Sequence, residues 1–297
     1  MSGYRERYNE YCRAVEAALP GYLPKGDTPQ KTVQEAMAYS LLGGGKRLRG
    51  VLCLAFCELS GGKIEDALPF ACAIEMVHCY SLIHDDLPCM DDDDLRRGKP
   101  SCHIQYGEAM AVLAGDGLLT LGFETMLSRS FTGKCPTERV IKAAAELAVS
   151  IGSSGMIGGQ VIDIESEGKA VGEEQLSHLH ALKTGALIRA SAKMGCIIAG
   201  AGEELLQRAD AYAKNIGLAF QITDDILDVT AREEALGKPI GSDKEQGKTT
   251  YVTLYGLGQS RQLAEELVEK AVLSLEGSAL DDPFLRELAR ELVQRDH

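Results

Sequence analysis

The chain has 297 residues, 45% of them hydrophobic, which is enough to bury a large core. Its net charge of −13 excludes a broad nucleic-acid-binding surface, because such a surface needs clustered positive charge. The nine cysteines are scattered through apolar stretches without a Cys-x-x-Cys pair, a pattern that favours buried, reduced thiols over a zinc site.

The sequence gives no indication of secretion or of a membrane span. The first 22 residues lack the apolar run of a signal peptide. The segment from Gly185 to Gly200 is rich in small and apolar residues, but Arg189 and Lys193 interrupt it and it is too short to cross a bilayer. We therefore expect a soluble, cytoplasmic protein without a transmembrane segment.

Helical periodicity dominates the chain, and clusters of glycine and proline separate the helical segments. One predicted helix runs from Leu68 to about Asp86. Its only charge before the acidic end is Glu75, so other helices must surround it. A second predicted helix runs from Glu203 to Val229, with an apolar stripe at steps of three and four residues. We predict one all-α domain over residues 1–297, built as a bundle of about ten or more helices.

The first of these helices ends in the acidic sequence HDDLPCMDDDD, residues 84–94. Asp85 and Asp91 lie six residues apart with Pro88 between them. We expect Pro88 to bend or end the helix, so that Asp91 returns to the side of Asp85. Taken alone, the acidic run at residues 91–94 could equally be a solvated surface.

The second helix ends in a similar motif, DDILD, residues 224–228. Asp224 and Asp228 are four residues apart and share a helical face, with Gln221 on the same flank. Carboxylates near a helix C-terminus are disfavoured by the helix dipole and by their mutual repulsion, so a cation should offset them. Clustered carboxylate oxygens suit Mg²⁺, which is commonly shared with a phosphate. A calcium loop is less favoured, because its glycine and glutamate spacing is absent.

Several basic residues lie next to glycine-rich turns or to the first acidic motif, where they could bind a phosphate. Three cations follow the Gly43–Gly45 turn, two arginines follow the first acidic motif, and a Lys-Thr-Gly sequence at 183–185 is predicted to begin another helix. Such cations clamp phosphates through charge-assisted hydrogen bonds, although any one of them alone could be an ordinary surface charge. The segment 241–249 imitates a P-loop but has five residues between its glycines where that motif has four.

Several segments together resemble the trans-isoprenyl diphosphate synthases, and most closely the bacterial-type farnesyl diphosphate synthases. They are GGGKRLR, EMVHCYSLIHDDLPCMDDDDLRRGKPSCH, GDGLL, GMIGGQVID, KTGALI, FQITDDILD and GKPIGSDKEQGKTTYV. The resemblance implies an isoprenoid-synthase-type helical bundle around a deep central cavity, usually as a homodimer. It implies a Mg²⁺-dependent prenyltransferase, with up to three ions and with Mn²⁺ able to substitute. Such an enzyme joins an allylic diphosphate to isopentenyl diphosphate head to tail, by ionisation, condensation and elimination.

The resemblance also implies residue roles. The metal ligands and their supports would be Asp85, Asp86, Asp91, Asp224, Asp225 and Asp228. Isopentenyl diphosphate would bind to Lys46, Arg49, His78 and Arg97. The allylic diphosphate and its cation would be held by Arg96, Lys183, Thr184, Gln221, Lys238 and Lys248. On its own, His78 would be read as a core histidine.

Product length is the finer question. Tyr80 precedes Asp85 by five residues, roughly 7.5 Å along a helix axis, so its ring could form the floor of the cavity. In the resembled family, an aromatic residue at this place, with two extra residues in the first motif, implies a fifteen-carbon product. Ser81, one turn below Asp85, is too small to block. A packed core tyrosine is the alternative interpretation.

Four other functions compete with this one. A geranylgeranyl diphosphate synthase shares every motif except the chain-length floor. A terpene cyclase has a related fold, but we expect it to carry a different second metal motif. A non-catalytic partner subunit should have lost an aspartate motif, whereas both are present. A calcium-binding helical protein would bind Ca²⁺ without diphosphate.

Overall fold

The computed structural model describes residues 2–133, 135–230 and 248–294, which are almost entirely helical, so the all-α prediction is confirmed. The helices are α1 (Ser2–Tyr22), α2 (Lys31–Leu41), α3 (Leu48–Leu59), α4 (Ile64–Asp85), α5 (Cys102–Tyr106), α6 (Glu108–Leu127), α7 (Arg129–Thr132), α8 (Thr137–Ile151), α9 (Met156–Ser166), α10 (Glu173–His180), α11 (Ala186–Ala199), α12 (Glu203–Thr230), α13 (Tyr251–Leu275) and α14 (Pro283–Gln294).

Helices α4 and α11 form the centre of the bundle. Helix α4 packs against α3, α6 and α11, and α11 packs in turn against α3, α8 and α12. Most α4 side chains are buried, as its apolar sequence predicts. The predicted start at Leu68 was late, because Glu65 and Asp66 occupy the first turn, where the helix dipole favours acidic residues. The first acidic motif therefore lies at the C-terminal end of a helix in the centre of the bundle.

A short hairpin follows that motif. Strand β1 (Leu95–Arg96) pairs antiparallel with β2 (Lys99–Pro100), and the two turn residues, Arg97 and Gly98, have φ of 55° and 72°. A two-residue turn with both φ angles positive matches the twist of a hairpin. The hairpin sends consecutive arginines in different directions, because Arg96 donates to Asp86 while Arg97 donates to the carbonyl oxygen of Gly44.

The Lys-Thr-Gly sequence at 183–185 does not begin a helix, which corrects the sequence-based prediction. It lies in a π-helical turn, Ala181–Gly185, that joins α10 to α11 without a break. A π turn inserts one extra residue into a helix, and such turns are frequent at functional sites. Hydrophobic periodicity could not show the insertion, because it shifts the pattern at one point only.

By length and composition alone, three helical stretches could cross a membrane: Ile64–Asp85, Glu108–Leu127 and Thr137–Ser166. In the bundle, 72%, 44% and 39% of their apolar windows are buried inside the protein. The segment from Gly185 to Gly200 is not one of these three stretches, and the absence of a transmembrane segment stays a prediction. All nine cysteines are thiols, seven of them buried, with Cys12 half-buried and Cys89 exposed.

Candidate active site

A cavity of about 590 Å³, the main cavity, opens between α4, α6, α9, α12 and the π-helical turn. Such a volume is usual for a small-molecule site. Its lining includes the acidic and basic side chains of Asp85, Asp91, Asp93, Arg96 and Lys183. It also includes Tyr80, Ser81, Val112, Met156 and Ile157. Because Tyr80 precedes Asp85 on α4 by five residues, about 7.5 Å along the axis, we call the part of the cavity beside Asp85 its charged end and the part beside Tyr80 its apolar end.

The loop after α4 brings the two halves of the first acidic motif together. Helix α4 ends at Asp85, and the backbone N–H of Asp91 donates to the carbonyl oxygen of Asp85 at 2.9 Å. Both carboxyl groups line the main cavity. This is the return predicted from Pro88, which follows the helix end by three residues and cannot continue the hydrogen-bond ladder.

The carboxyl group of Asp85 resists ionisation. Burial raises its pKa to about 6; the charges of Asp91 and Asp86 act in the same direction, whereas Lys183 and Arg96 oppose them. The side-chain amide of Gln160 donates a hydrogen bond to the same carboxyl group. A carboxylate that is buried beside other carboxylates is stabilised by any added cation.

Arg96 forms an ion pair with Asp86, the residue that follows Asp85. Its guanidinium donates through Nε to both oxygens of Asp86, at 3.0 and 3.2 Å, and through Nη2 to Asp93 at 3.4 Å. Asp86 is buried, and burial raises its pKa although the bonds from Arg96 oppose the rise. Arg96 thus lies beside the acidic motif and lines the main cavity, and its predicted binding to a diphosphate stays a prediction.

Two lysines converge on an aspartate to which the sequence analysis assigned no role. Lys183 Nζ lies 2.6 Å from Asp163 Oδ2, and Lys248 Nζ lies 4.0 Å from the same oxygen. Lys248 also donates to Asp91 Oδ1 at 3.1 Å. Asp163 of α9, Lys183 of the π-helical turn and Lys248, which precedes α13 by three residues, therefore meet beside the first acidic motif.

The second acidic motif faces the same region. Asp225 and Asp228 are buried in α12, and Asp225 accepts hydrogen bonds from the backbone N–H of Tyr251 at 2.8 Å and from Gln221 at 3.2 Å. Asp225 and Asp91 line a neighbouring cavity of about 170 Å³, which shares Lys183 and Gln221 with the main cavity. Burial lowers the pKa of Arg49, and the negative charge of nearby Asp224 opposes that fall.

The two residues predicted to stabilise an allylic cation contact each other. Thr184 Oγ1 donates to Gln221 Oε1 at 3.0 Å, and both side chains line the main cavity. Lys238, predicted for the same diphosphate, lies outside the described residues. Of the predicted allylic residues that the structure describes, Arg96, Lys183, Thr184 and Gln221 line the main cavity, and Lys248 lines the neighbouring cavity of about 170 Å³.

A second cavity of about 760 Å³ gathers all four residues predicted for isopentenyl diphosphate, Lys46, Arg49, His78 and Arg97. Arg49 and His78 also line the main cavity, so the two cavities adjoin. Burial lowers the pKa of Arg49 to about 10, and burial beside Arg49 and Arg97 holds the pKa of His78 well below its usual range. His78 is therefore neutral among cations, and this cluster favours an anion.

Among the described residues, no three acidic, histidine or cysteine side chains converge as a ready-made metal site. Each described carboxyl group of the first motif that borders the main cavity is instead in contact with a cation or an amide. The partners are Gln160 for Asp85, Lys248 for Asp91 and Arg96 for Asp93. The carboxylates are thus held near one another by the protein's own cations.

Sequence reasoning missed Gln160 and Asp163, although it quoted the segment GMIGGQVID that contains them. Their spacing of three residues places them on one face of α9. A glutamine and an aspartate on the same face of a Gly-rich helix were the available signal. Gly159 is equally informative, because a Cβ there would lie 2.7 Å from Lys183 Cα. Because α9 approaches the π-helical turn so closely, Gln160 can contact Asp85 and Asp163 can contact Lys183.

The polyprenyl synthetase family model matches residues 30–277. A geranylgeranyl diphosphate synthase from Cyanophora paradoxa is 49% identical over 258 residues, which cover 86% of this chain and 85% of that protein. A dimethylallyltranstransferase from Fischerella ambigua is 46% identical and aligns with 95% of this chain and 81% of its own length.

Solved structures give the same result for the fold. An FPP/GFPP synthase from Zymomonas mobilis is 36% identical, with a TM-score of 0.86 over 98% of this chain and 99% of that chain. A geranyltransferase from Legionella pneumophila is 35% identical, with a TM-score of 0.86 over 99% of this chain and 98% of that chain. The helical bundle is thus the isoprenoid-synthase fold, and the chain belongs to the polyprenyl synthetase family, the trans-isoprenyl diphosphate synthases.

Proposed function

We propose that this prenyltransferase condenses dimethylallyl and then geranyl diphosphate with isopentenyl diphosphate to give farnesyl diphosphate. The observation that carries the proposal is the main cavity itself, with carboxylates and cations at one end and Tyr80 near the other. The diphosphate belongs at the charged end, and the prenyl chain at the apolar end.

The donor set fits Mg²⁺, the metal that the proposed reaction needs. All candidate ligands are carboxylate oxygens, and the raised pKa of Asp85 marks a group that an added cation would stabilise. Asp85, Asp91 and Asp224 would hold the metal, with support from Asp86, Asp225 and Asp228. Bound there, Mg²⁺ supplies positive charge that stabilises the departing diphosphate.

The chain's own residues do the remaining work. Arg96, Lys183 and Lys248 bind the allylic diphosphate through charge-assisted hydrogen bonds. The oxygens of Thr184 and Gln221, which contact each other beside the main cavity, would stabilise with their dipoles the allylic carbon that becomes positive. Closure of the site around the bound substrates would exclude water, which would otherwise react with the carbocation.

The adjoining cavity holds the second substrate in this proposal. Lys46, Arg49 and Arg97 bind the diphosphate of isopentenyl diphosphate, while neutral His78 lies beside them. Because Arg49 and His78 line both cavities, the double bond can approach the allylic carbon. The released diphosphate removes the proton in the elimination step, so no side-chain base is required.

The test is a product analysis. Purified protein with Mg²⁺, labelled isopentenyl diphosphate and dimethylallyl or geranyl diphosphate should form farnesyl diphosphate, and farnesyl diphosphate should be a poor allylic substrate. Asp85→Asn should lower kcat by at least about a hundredfold, since it removes charge beside the leaving group. A protein that makes no longer prenyl chain would overturn the proposal.

Tyr80 carries the fifteen-carbon assignment. It is 6% exposed and lines the main cavity near Ser81. We predict that Tyr80→Ala raises the ratio of twenty-carbon to fifteen-carbon product by about tenfold or more, because removal of the ring deepens the cavity. Tyr80→Phe is the matched control and should keep the wild-type ratio, since only the hydroxyl is lost. Unchanged product length in Tyr80→Ala, measured by chromatography, would contradict the assignment.

The second candidate is a geranylgeranyl diphosphate synthase, because the protein from Cyanophora paradoxa bears that name at 49% identity. The same assay decides between them. Efficient use of farnesyl diphosphate by the wild-type protein, with a twenty-carbon product, would favour this candidate.

We also propose that the protein acts as a homodimer. Ile157, Val161 and Ile164 form an exposed apolar stripe on α9, and Val112 and Leu113 are exposed on α6. Val112 and Ile157 both line the main cavity, so the two surfaces lie close together. Apolar surface of this kind is typical of an interface, and a second copy is the commonest partner.

A further inference from the structure

The main cavity is lined by an imidazole to which the proposed reaction assigns no role. His84 lines this cavity, and its ring meets that of Tyr80 edge to face, with centroids 5.5 Å apart and planes at 86°. This arrangement is a favourable one for aromatic rings. His84 therefore touches the side chain that the proposed function makes responsible for product length.

Helix α6 holds the other side of the imidazole. His84 Nε2 lies 3.1 Å from the carbonyl oxygen of Val112, and because a carbonyl can only accept, Nε2 carries the proton and donates. Asp116 Oδ1 lies 4.0 Å from the same nitrogen. The ring is thus fixed between α4, which carries it, and α6, which accepts its hydrogen bond.

Gly115 provides the space for this ring. A Cβ at Gly115 would overlap Nε2 and Cδ2 of His84 and would lie 3.0 Å from Cε1. The backbone of Gly115 is helical and its φ is not positive, so no left-handed conformation requires glycine there. The approach of the imidazole is the feature that excludes a side chain.

We propose that His84 and Gly115 are a positioning pair that fixes the Tyr80 ring across the base of the main cavity and thereby limits product length. The proposal rests on the proposed function. The imidazole packs against the Tyr80 ring and is itself fixed to α6, so it holds the ring in one orientation when a growing prenyl chain reaches it. Displacing the imidazole leaves Tyr80 able to turn aside, and the product becomes longer.

The experiment compares His84→Ala, Gly115→Ala and the double variant in the product assay with geranyl diphosphate. Each single variant should raise the ratio of twenty-carbon to fifteen-carbon product by about fivefold or more, because each removes the support behind Tyr80. The double variant should match His84→Ala, since no imidazole remains for the added methyl to displace. A wild-type ratio in Gly115→Ala, or two effects that multiply, would overturn the proposal.

Gly117→Ala is the matched control. It lies on the same helix, and its Cβ would meet the flexible Met37 side chain, 2.8 Å from Sδ, away from the main cavity. It should keep the wild-type ratio, and an equal shift in this variant would count against the proposal. If Gly115→Ala does not fold by circular dichroism, an unchanged ratio in His84→Ala alone overturns the proposal. A wild-type protein without condensation activity would instead refute the proposed function.

Discussion

The charged end of the main cavity is arranged so that most ionisable side chains have an opposite charge within reach. Asp163 holds Lys183, Asp91 holds Lys248, and Arg96 spans Asp86 and Asp93. In the proposed function, a diphosphate and its metal ions would replace these internal partners, because the same cations and carboxylates would then bind the ligand instead. Much of the charge needed by the ligand is therefore already in position.

His180 departs from this pairing. Its ring stacks on Tyr251 with centroids 5.8 Å apart, and its buried Nε2 has no hydrogen-bond partner among the described residues. Burial lowers its pKa to about 4; Asp163 acts in the opposite direction, and Lys183 in the same one. The native protein thus keeps this imidazole neutral at pH values where the unfolded chain would bind a proton.

We predict a stability loss in acid that depends on His180. Between pH 6.5 and about 4 the unfolded state binds the proton and the folded state does not, so the free energy of unfolding falls as the pH falls. Through His180 alone, the free energy of unfolding at pH 5 is lower than at neutral pH by about 2 kcal/mol. Urea unfolding at pH 7.5 and at pH 5 should therefore show a smaller loss for His180→Gln than for the wild type. The carboxyl groups of the protein titrate equally in the wild type and in the variant. An equal loss of unfolding free energy in the two proteins would therefore contradict the prediction.

At the scale of helices, what could be read from the sequence was the pattern of burial. The apolar run of α4 and the stripe of α12 were both recognised, because each extends over many turns. The hairpin and the π-helical turn could not be recognised, because each depends on the geometry of only a few residues. The folding back of Asp91 onto Asp85 was predictable from the position of Pro88.

Helices α3 and α11 approach closely at Gly195. A Cβ there would overlap the carbonyl oxygen of Cys53 and lie 2.9 Å from the backbone nitrogen of Cys57. We predict that Gly195→Ala lowers the free energy of unfolding by more than about 2 kcal/mol, because the added methyl would overlap backbone atoms of α3, which cannot move aside as a flexible side chain can. Gly258→Ala is the control, since α13 leaves open space there, and it should be neutral or slightly stabilising. Equal stability of the two variants in urea unfolding would contradict the prediction.

At the scale of the whole molecule, the sequence predicted the fold class, which the structure confirms, whereas the substrate-binding roles of individual residues stay predictions. Lys46, Arg49, His78 and Arg97 come from distant parts of the chain and surround one cavity, which their motifs alone could not place in space. Gln160 and Asp163 were missed because glutamine and aspartate on a helix have many ordinary uses. The exposed apolar stripe on α9 was also missed, since an amphipathic pattern does not tell which face is covered.

The proposed dimer gives a prediction for the assembly. Val161→Glu places a charge in the exposed α9 stripe and should convert the protein to a monomer, because a buried unpaired charge opposes association. Leu273→Glu is the control, at an exposed leucine on α13, and should leave the mass unchanged. Sedimentation velocity measures both. A wild-type monomer, or a Val161→Glu dimer, would contradict the prediction.

The π-helical turn at Ala181–Gly185 sets a limit on how this region can change length. Removing one residue there would restore a regular helix and rotate α10 relative to α11 by about 100°. Lys183 and Thr184 could then not both keep their present directions, one toward Asp163 and the other toward Gln221. A surface loop can often change length at little cost, whereas a deletion or an insertion at this helical junction would turn Lys183 or Thr184 away from its present partner.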